Sequence, residues 1–235
     1  MEKKAKRIKL IILLFIILFF ISITVFFVYI NPKLHSQKVY TAEELGITVI
    51  VSAYDIDGDG IDDYTDILQG ARQYIATKPK YESNYYDGGY PDDGTGVCTD
   101  VIWKAFQNAG YNLKGMVDED IKNNLNAYSM IVKPEPNIDF RRVKTLKIFF
   151  DRNLENLSTD FSNPEEWQAG DIVIFLNHIA ICSDKRNSKG IPFIIHHDGF
   201  GAREVNEIEN YTIAGHYRMV YQSSIETGST ESRSN

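Results

Sequence analysis

Cys98 lies in the run Gly94-Thr95-Gly96-Val97-Cys98-Thr99-Asp100, immediately ahead of a segment with helical periodicity. The thiolate is a nucleophile, and a helix N-terminus favours negative charge, so a thiol at this junction suits covalent catalysis. Such a nucleophile needs a base within ~2.6–3.2 Å and a group that fixes the base's tautomer. Two histidines downstream have suitable settings. His178 opens the run His178-Ile179-Ala180-Ile181-Cys182, and His196 follows Phe193-Ile194-Ile195. The expected arrangement is Cys98 as nucleophile, His178 as base and His196 as third member, across a hairpin that joins the two runs. The backbone amide of Cys98, free at a helix start, would serve as an oxyanion donor.

Strand alternation places His178, Ala180 and Cys182 on one face and Ile179 and Ile181 on the other. The small Ala180 would leave room beside the imidazole for the packed end of the cysteine helix. Two features oppose this chemistry. A buried cysteine is commonly an inert small hydrophobe, and the carboxylate of Asp100 raises the pKa of a nearby thiol. The only other cysteine, Cys182, sits inside an apolar strand, a setting unlike that of Cys98, so a disulfide between them is not expected.

The elements that must position these groups follow from periodicity. Ile47 to Ala53 is apolar and β-branched and reads as a strand, and Ile67 to Ala76 has helical spacing. Residues 81–96, rich in Tyr, Gly, Asp and Pro, form a loop. Val97 to Ala109 is the main helix, with Val101, Ile102, Ala105, Phe106 and Ala109 on one face and Gly110 as its stop. Residues 116–130 read as another helix, and 143–150 fit helix or strand. Strands are expected at 172–175, 178–183, 193–197 and 213–221, with a polar turn over 184–190. A helix first and antiparallel strands later give an α+β fold.

The ends of the chain are different. Five basic residues among the first nine precede 21 residues, Leu10 to Ile30, without a charged side chain. That run is long enough for one transmembrane helix, which needs ~20 residues, and no small-x-small cleavage site follows it. The basic flank stays cytoplasmic, so the expected organisation is a cytoplasmic tail over 1–9, an anchor over 10–30 and a stalk over 31–46. An extracellular domain over 47–222 and a disordered polar tail over 223–235 complete it. The chain carries 25 Lys and Arg against 32 Asp and Glu; without residues 1–30 the balance is 20 against 31. So acidic a domain argues against nucleic acid as a partner.

Some of that acid is clustered. Residues 55–66 hold six aspartates and fit the twelve-position calcium loop, with Asp55, Asp57, Asp59, Asp63 and Asp66 as ligands, Gly60 at the sharp turn and Ile61 offering its carbonyl. Asp66 stands where Glu is usual. A structural calcium ion is the expected cofactor.

Several motifs also resemble a known superfamily. Tyr85-Tyr86-Asp87-Gly88-Gly89, then Val97-Cys98-Thr99-Asp100, then Ala169–Phe175 and His178–Ile181, resemble the corresponding segments of NlpC-type cell-wall peptidases. Gly96–Val101, Val117–Asp120, Arg141–Val143, Gly170–Val173, His178–Asp184, Ile195-His196 and Gly215–Arg218 are similar, in order, to the bacterial family of domain of unknown function 1287. The resemblance implies a papain-like core, with the cysteine helix packed on an antiparallel sheet, acting on cell-wall peptide amides as a hydrolase or acyl transferase. It also implies Cys98, His178 and His196 as the site, with Tyr85 as an accessory hydroxyl and His197 as an alternative orienter. The superfamily's usual Ser-Gly after the cysteine is Thr99-Asp100 here. His216 and Arg218 are read as structural. The competing expectation is a non-catalytic, calcium-stabilised binding module on the same fold.

Overall fold

A computed structural model describes residues 2–26 and 38–220. It divides into two compact units, Met1–Lys38 and Val39–Asn235. In the first, helix α1 spans Glu2–Val25, and its apolar side chains from Leu10 onward are largely exposed. Among the described residues no helix is long and apolar enough to cross a membrane. The span expected over 10–30 runs beyond α1 into residues 27–30, which lie outside the described residues. Residues 27–37, with the end of the expected anchor and the first part of the expected stalk, and residues 221–235, with the expected tail over 223–235, lie outside the described residues.

The second unit is α+β. Its centre is a six-stranded antiparallel sheet in the order β3-β8-β4-β5-β6-β7, comprising β3 (Glu155–Asn156), β4 (Ile172–Phe175), β5 (Ile179–Arg186), β6 (Pro192–Asp198), β7 (Gly201–Val205) and β8 (Ile213–Arg218). A parallel pair, β1 (Lys80–Tyr81) and β2 (Thr95–Gly96), brackets the Tyr-rich loop. Helices α2 (Asp63–Ala76), α3 (Cys98–Asn108), α4 (Leu113–Asn123) and α5 (Val143–Asn153) complete the unit.

Alternation along the strands splits the core in two. Ile172, Ile174, Ile179, Ile181 and Ile195 pack with Ile67, Val101, Ile102, Phe106 and Phe150 from the helices. Val173, Phe175, Ala180, Cys182 and Ile194 point the other way, onto Trp167 and Ile208. Both faces are apolar because both are covered, and the helices cover the isoleucine face. The end of the cysteine helix therefore packs beside Ile179, and Ala180 faces away from it, opposite to the sequence expectation.

Ile47–Ala53 is not a strand. Val49 and Val51 are exposed, and the segment is held through side chains, with the Ile50 amide donating to Gln168 and the Ser52 amide to Asp62. β-branched residues favour a sheet only where a neighbouring strand and a packing surface exist. Residues 143–150 belong to helix α5, whose buried face carries Leu146, Phe149 and Phe150.

Candidate functional site

Helix α3 begins at Cys98 because the chain arrives extended at Val97 and Asp100 closes the first turn. Val97 has no polar side chain to cap with; its amide instead donates to Asp100 Oδ2 at 2.7 Å. The Asp100 carboxylate is itself held by Arg141, with Nε on Oδ1 at 2.8 Å and Nη2 on Oδ2 at 2.9 Å, and by the Trp103 indole at 2.7 Å. All three residues are buried. Arg141 thus neutralises the acid that the sequence sets beside the thiol, leaving a residual upward pull.

The thiol is free and 6% exposed. Burial pushes its pKa up to about 11, against the backbone amides of Ile179, Thr99 and Cys98 itself, which favour the thiolate. The Ile179 contact fixes the sulfur's place: against the first residue of β5, on the helix-bearing face of the sheet.

His178 and His196 are brought together, as the hairpin reading expects, with His178 Nε2 and His196 Nδ1 2.8 Å apart. They lie on the other face. His178 stacks near Phe175 and Tyr211, and His196 packs edge-on to the same tyrosine, among residues that pack onto the Ala180 side. Neither histidine shares a sheet face with Cys98. Burial lowers both imidazole pKa values, that of His196 to about 4.

The imidazole on the thiol's face is His197. Strands β5 and β6 pair Ile181 with Ile195, and continuing that register by two residues sets His197 opposite Ile179, whose amide meets the sulfur. Directly opposed side chains lie ~4.5–5.5 Å apart at Cβ. His197 is fully buried. Its Nδ1 is 2.8 Å from the Tyr74 hydroxyl, its ring meets Tyr81 edge-on at 5.1 Å, and its Nε2 has no hydrogen-bond partner. Burial lowers its pKa, opposed by the charges of Asp100 and Asp198 and by the nearby Pro79 carbonyl, which lies beyond good hydrogen-bond geometry for Nε2. Both phenols feel the charge of Cys98. Among the described residues, no hydrogen bond joins Cys98 to an imidazole. Tyr74 and Asp100 also line an open cleft of about 480 Å³ between α2 and α3.

Tyr74 is the residue that sequence reasoning missed. Gly96 leaves it space: a Cβ there would lie 2.3 Å from the Tyr74 hydroxyl. Tyr85, expected near the thiol, is exposed and instead bonds Glu135 and Asn137. Cys182 is fully buried on the far face, apart from Cys98. His216 and Arg218 both bind the buried Asp171, at 2.9 Å and 2.8 Å, and His216 stacks on Trp167, which is a structural arrangement.

Of the expected metal ligands, Asp55, Asp57 and Asp59 come together. Asp63 does not join them. It is buried, accepting the Tyr111 hydroxyl at 2.5 Å and the Ile56 amide at 3.0 Å.

Residues 68–219 match the family described as domain of unknown function (DUF1287), and the chain belongs to that family. Among curated proteins it is similar to the uncharacterized protein YijF of Escherichia coli (strain K12), 37% identical over 164 residues, covering 65% of this chain and 80% of that protein. No solved structure matches.

Proposed function

We propose that the 47–222 domain is a thiol-dependent amide hydrolase or acyl transferase, with Cys98 as nucleophile and His197 as its imidazole partner. The observation that carries this is the Cys98 sulfur at the Ile179 amide, with His197 in register across the strand and its Nε2 unpartnered. A thiol held near 11 is neutral at physiological pH, so attack is coupled to proton transfer and does not start from a standing thiolate. With Nδ1 protonated and donating to the Tyr74 oxygen, His197 Nε2 is left as the base. Tyr74 positions the ring, and this tautomer is a requirement of the reading.

Sulfur then adds to the amide carbon, the thiol proton passes to Nε2 and on to the leaving amine, and water or an amine resolves the thioester. The His178–His196 pair on the opposite face supports the hairpin and stays outside this route.

The motif resemblance to NlpC-type peptidases supports a papain-like core and cell-wall peptide as substrate. The exposed apolar side chains of α1, after a basic start, support an extracellular domain held at the membrane by the N-terminal segment.

A second reading, a non-catalytic binding module on the same fold, is favoured by one observation: the thiol is covered and unpaired with any imidazole. One experiment separates the two. The full chain in detergent, as wild type and Cys98→Ser, is incubated with purified wall fragments and the products are read by mass. The enzyme reading expects new amine and carboxylate termini with wild type alone. Binding without any cleavage or thioester adduct leaves the binding module.

A further inference from the structure

The aspartates ahead of α2 lie outside the residues that match the family, and the thiol chemistry does not use them. Asp55, Asp57 and Asp59 are exposed, and their oxygens lie within 4.8 Å of one another. Two ligands on opposite sides of one calcium ion, each at ~2.3–2.6 Å, lie at most ~5 Å apart. The spacing therefore fits a single ion of that size. Clustered exposed acids alone would prove little.

The independent observation is Asp66, on the first turn of α2. It is 2% exposed, and its Oδ2 has no hydrogen-bond partner. A buried carboxylate oxygen without a donor carries a desolvation cost that a protein relieves with a partner or an ion. Burial raises its pKa to about 6, and the charges that add most to that are those of Asp59, Asp57, Asp63 and Asp55, so it lies on the cluster's side of α2, just outside the tight group of three. Asp63 has its own donors in Tyr111 and Ile56.

The backbone fits the same purpose. Gly60 takes φ +93°, a conformation that side chains rarely adopt, at the bend between Asp59 and Ile61. The loop also lies against the end of α3, where a Cβ on Gly110 would come within 3.0 Å of Asp57. The Asn108 side chain from the same helix donates to the Asp66 carbonyl.

We infer that residues 55–66 bind one hard divalent cation of calcium type through Asp55, Asp57, Asp59, Asp66 and the Ile61 carbonyl, with Asp63 held out of the coordination shell. Bound there, the ion ties the start of α2 to the end of α3. This inference is independent of the chemistry proposed for Cys98.

The test uses the full chain in detergent, stripped of metal and titrated with calcium chloride by calorimetry and by thermal unfolding. At 10 mM calcium, a site of Kd ~10⁻⁴–10⁻³ M raises Tm by about 3–10 °C for a domain of this size. Magnesium, which demands tighter octahedral geometry, shifts it less. Asp57→Ala, at an exposed position, and Asp66→Asn each abolish most of the calcium shift. Asp57→Ala unfolds at the wild-type temperature without metal, which shows that its fold is intact. Asp63→Asn lowers Tm yet keeps the calcium shift. The inference is overturned if calcium leaves wild-type Tm and heat unchanged, or if the shift survives in Asp57→Ala and Asp66→Asn.

Discussion

The Tyr74→Phe substitution probes the arrangement around His197 with the removal of one oxygen atom. The Tyr74 hydroxyl is 2.8 Å from His197 Nδ1, and His197 is fully buried with Nε2 already unpartnered. Loss of that hydroxyl would leave both ring nitrogens of a buried imidazole without a bond. Orphaning a buried polar group costs about 1–3 kcal/mol, which lowers Tm by about 2–4 °C per kcal/mol in a domain of this size. The same substitution opens space at Gly96, where a Cβ would lie 2.3 Å from the hydroxyl oxygen but 3.4 Å from Cζ. Gly96→Ala alone should therefore be strongly destabilising, and milder in the Tyr74→Phe background. The coupling between such contacting residues is expected at about 0.5–3 kcal/mol. The assay is equilibrium urea unfolding of the four proteins of this cycle. Additive effects, or a Tyr74→Phe variant within 0.3 kcal/mol of wild type (roughly the noise of such cycles), would refute the placement of Tyr74 between Gly96 and His197.

Arg141→Met strands the buried Asp100 carboxylate, so it should cost about 3–5 kcal/mol in urea unfolding and loosen the start of α3; a loss below 1 kcal/mol, the scale of surface pairs, would contradict the ion pair. His196 is buried with a pKa lowered to about 4, so the unfolded chain binds more protons than the folded one between pH 4 and its ordinary value of ~6.5. Stability should fall as pH drops through that window, by about 3 kcal/mol in all. Asp66, raised to about 6, works in the opposite direction over part of it, so the comparison is with His196→Leu, whose pH profile should be flatter than wild type. Cys98 should alkylate slowly at rest. At pH 7.5 a thiol of pKa about 11 is ionised in about one molecule in 3,000, and a rate matching free cysteine would contradict its burial.

Much of the scaffold is legible in the sequence. The apolar face of α3, the strands at 172–175 and 193–197 and the joining of His178 to His196 follow from periodicity. Which sheet face receives the helices does not. Ile179 and Ile181 are as buried as Ala180 and Cys182, so alternation separates the two sets without saying which one meets Cys98. In a tandem pair such as His196-His197, that undecided parity reverses which imidazole lies beside the thiol. Tyr74 sits on the buried face of α2, where a tyrosine reads as core, and only the approach of β6 reveals its bond. The edge strand β7, with its charged Arg203 and Glu204, shows no apolar signature. Ile47–Ala53 misleads in the other direction, since its propensity finds no neighbouring strand. In the acidic loop, spacing alone groups Asp63 with the ligands, because nothing in it reveals that Tyr111 lies 48 positions away as a competing donor.

The proposed chemistry makes the reactivity of Cys98 depend on the imidazole of its own sheet face. The direct measurement is the alkylation rate of Cys98 by an uncharged electrophile across pH, mapped by mass spectrometry in wild type, His197→Gln and His178→Gln; Cys182 is fully buried and stays silent. Loss of a positioned base costs about 10²-fold or more, so His197→Gln should fall by that factor while His178→Gln stays close to wild type. The reverse order, with His178→Gln abolishing reactivity and His197→Gln sparing it, would contradict the account.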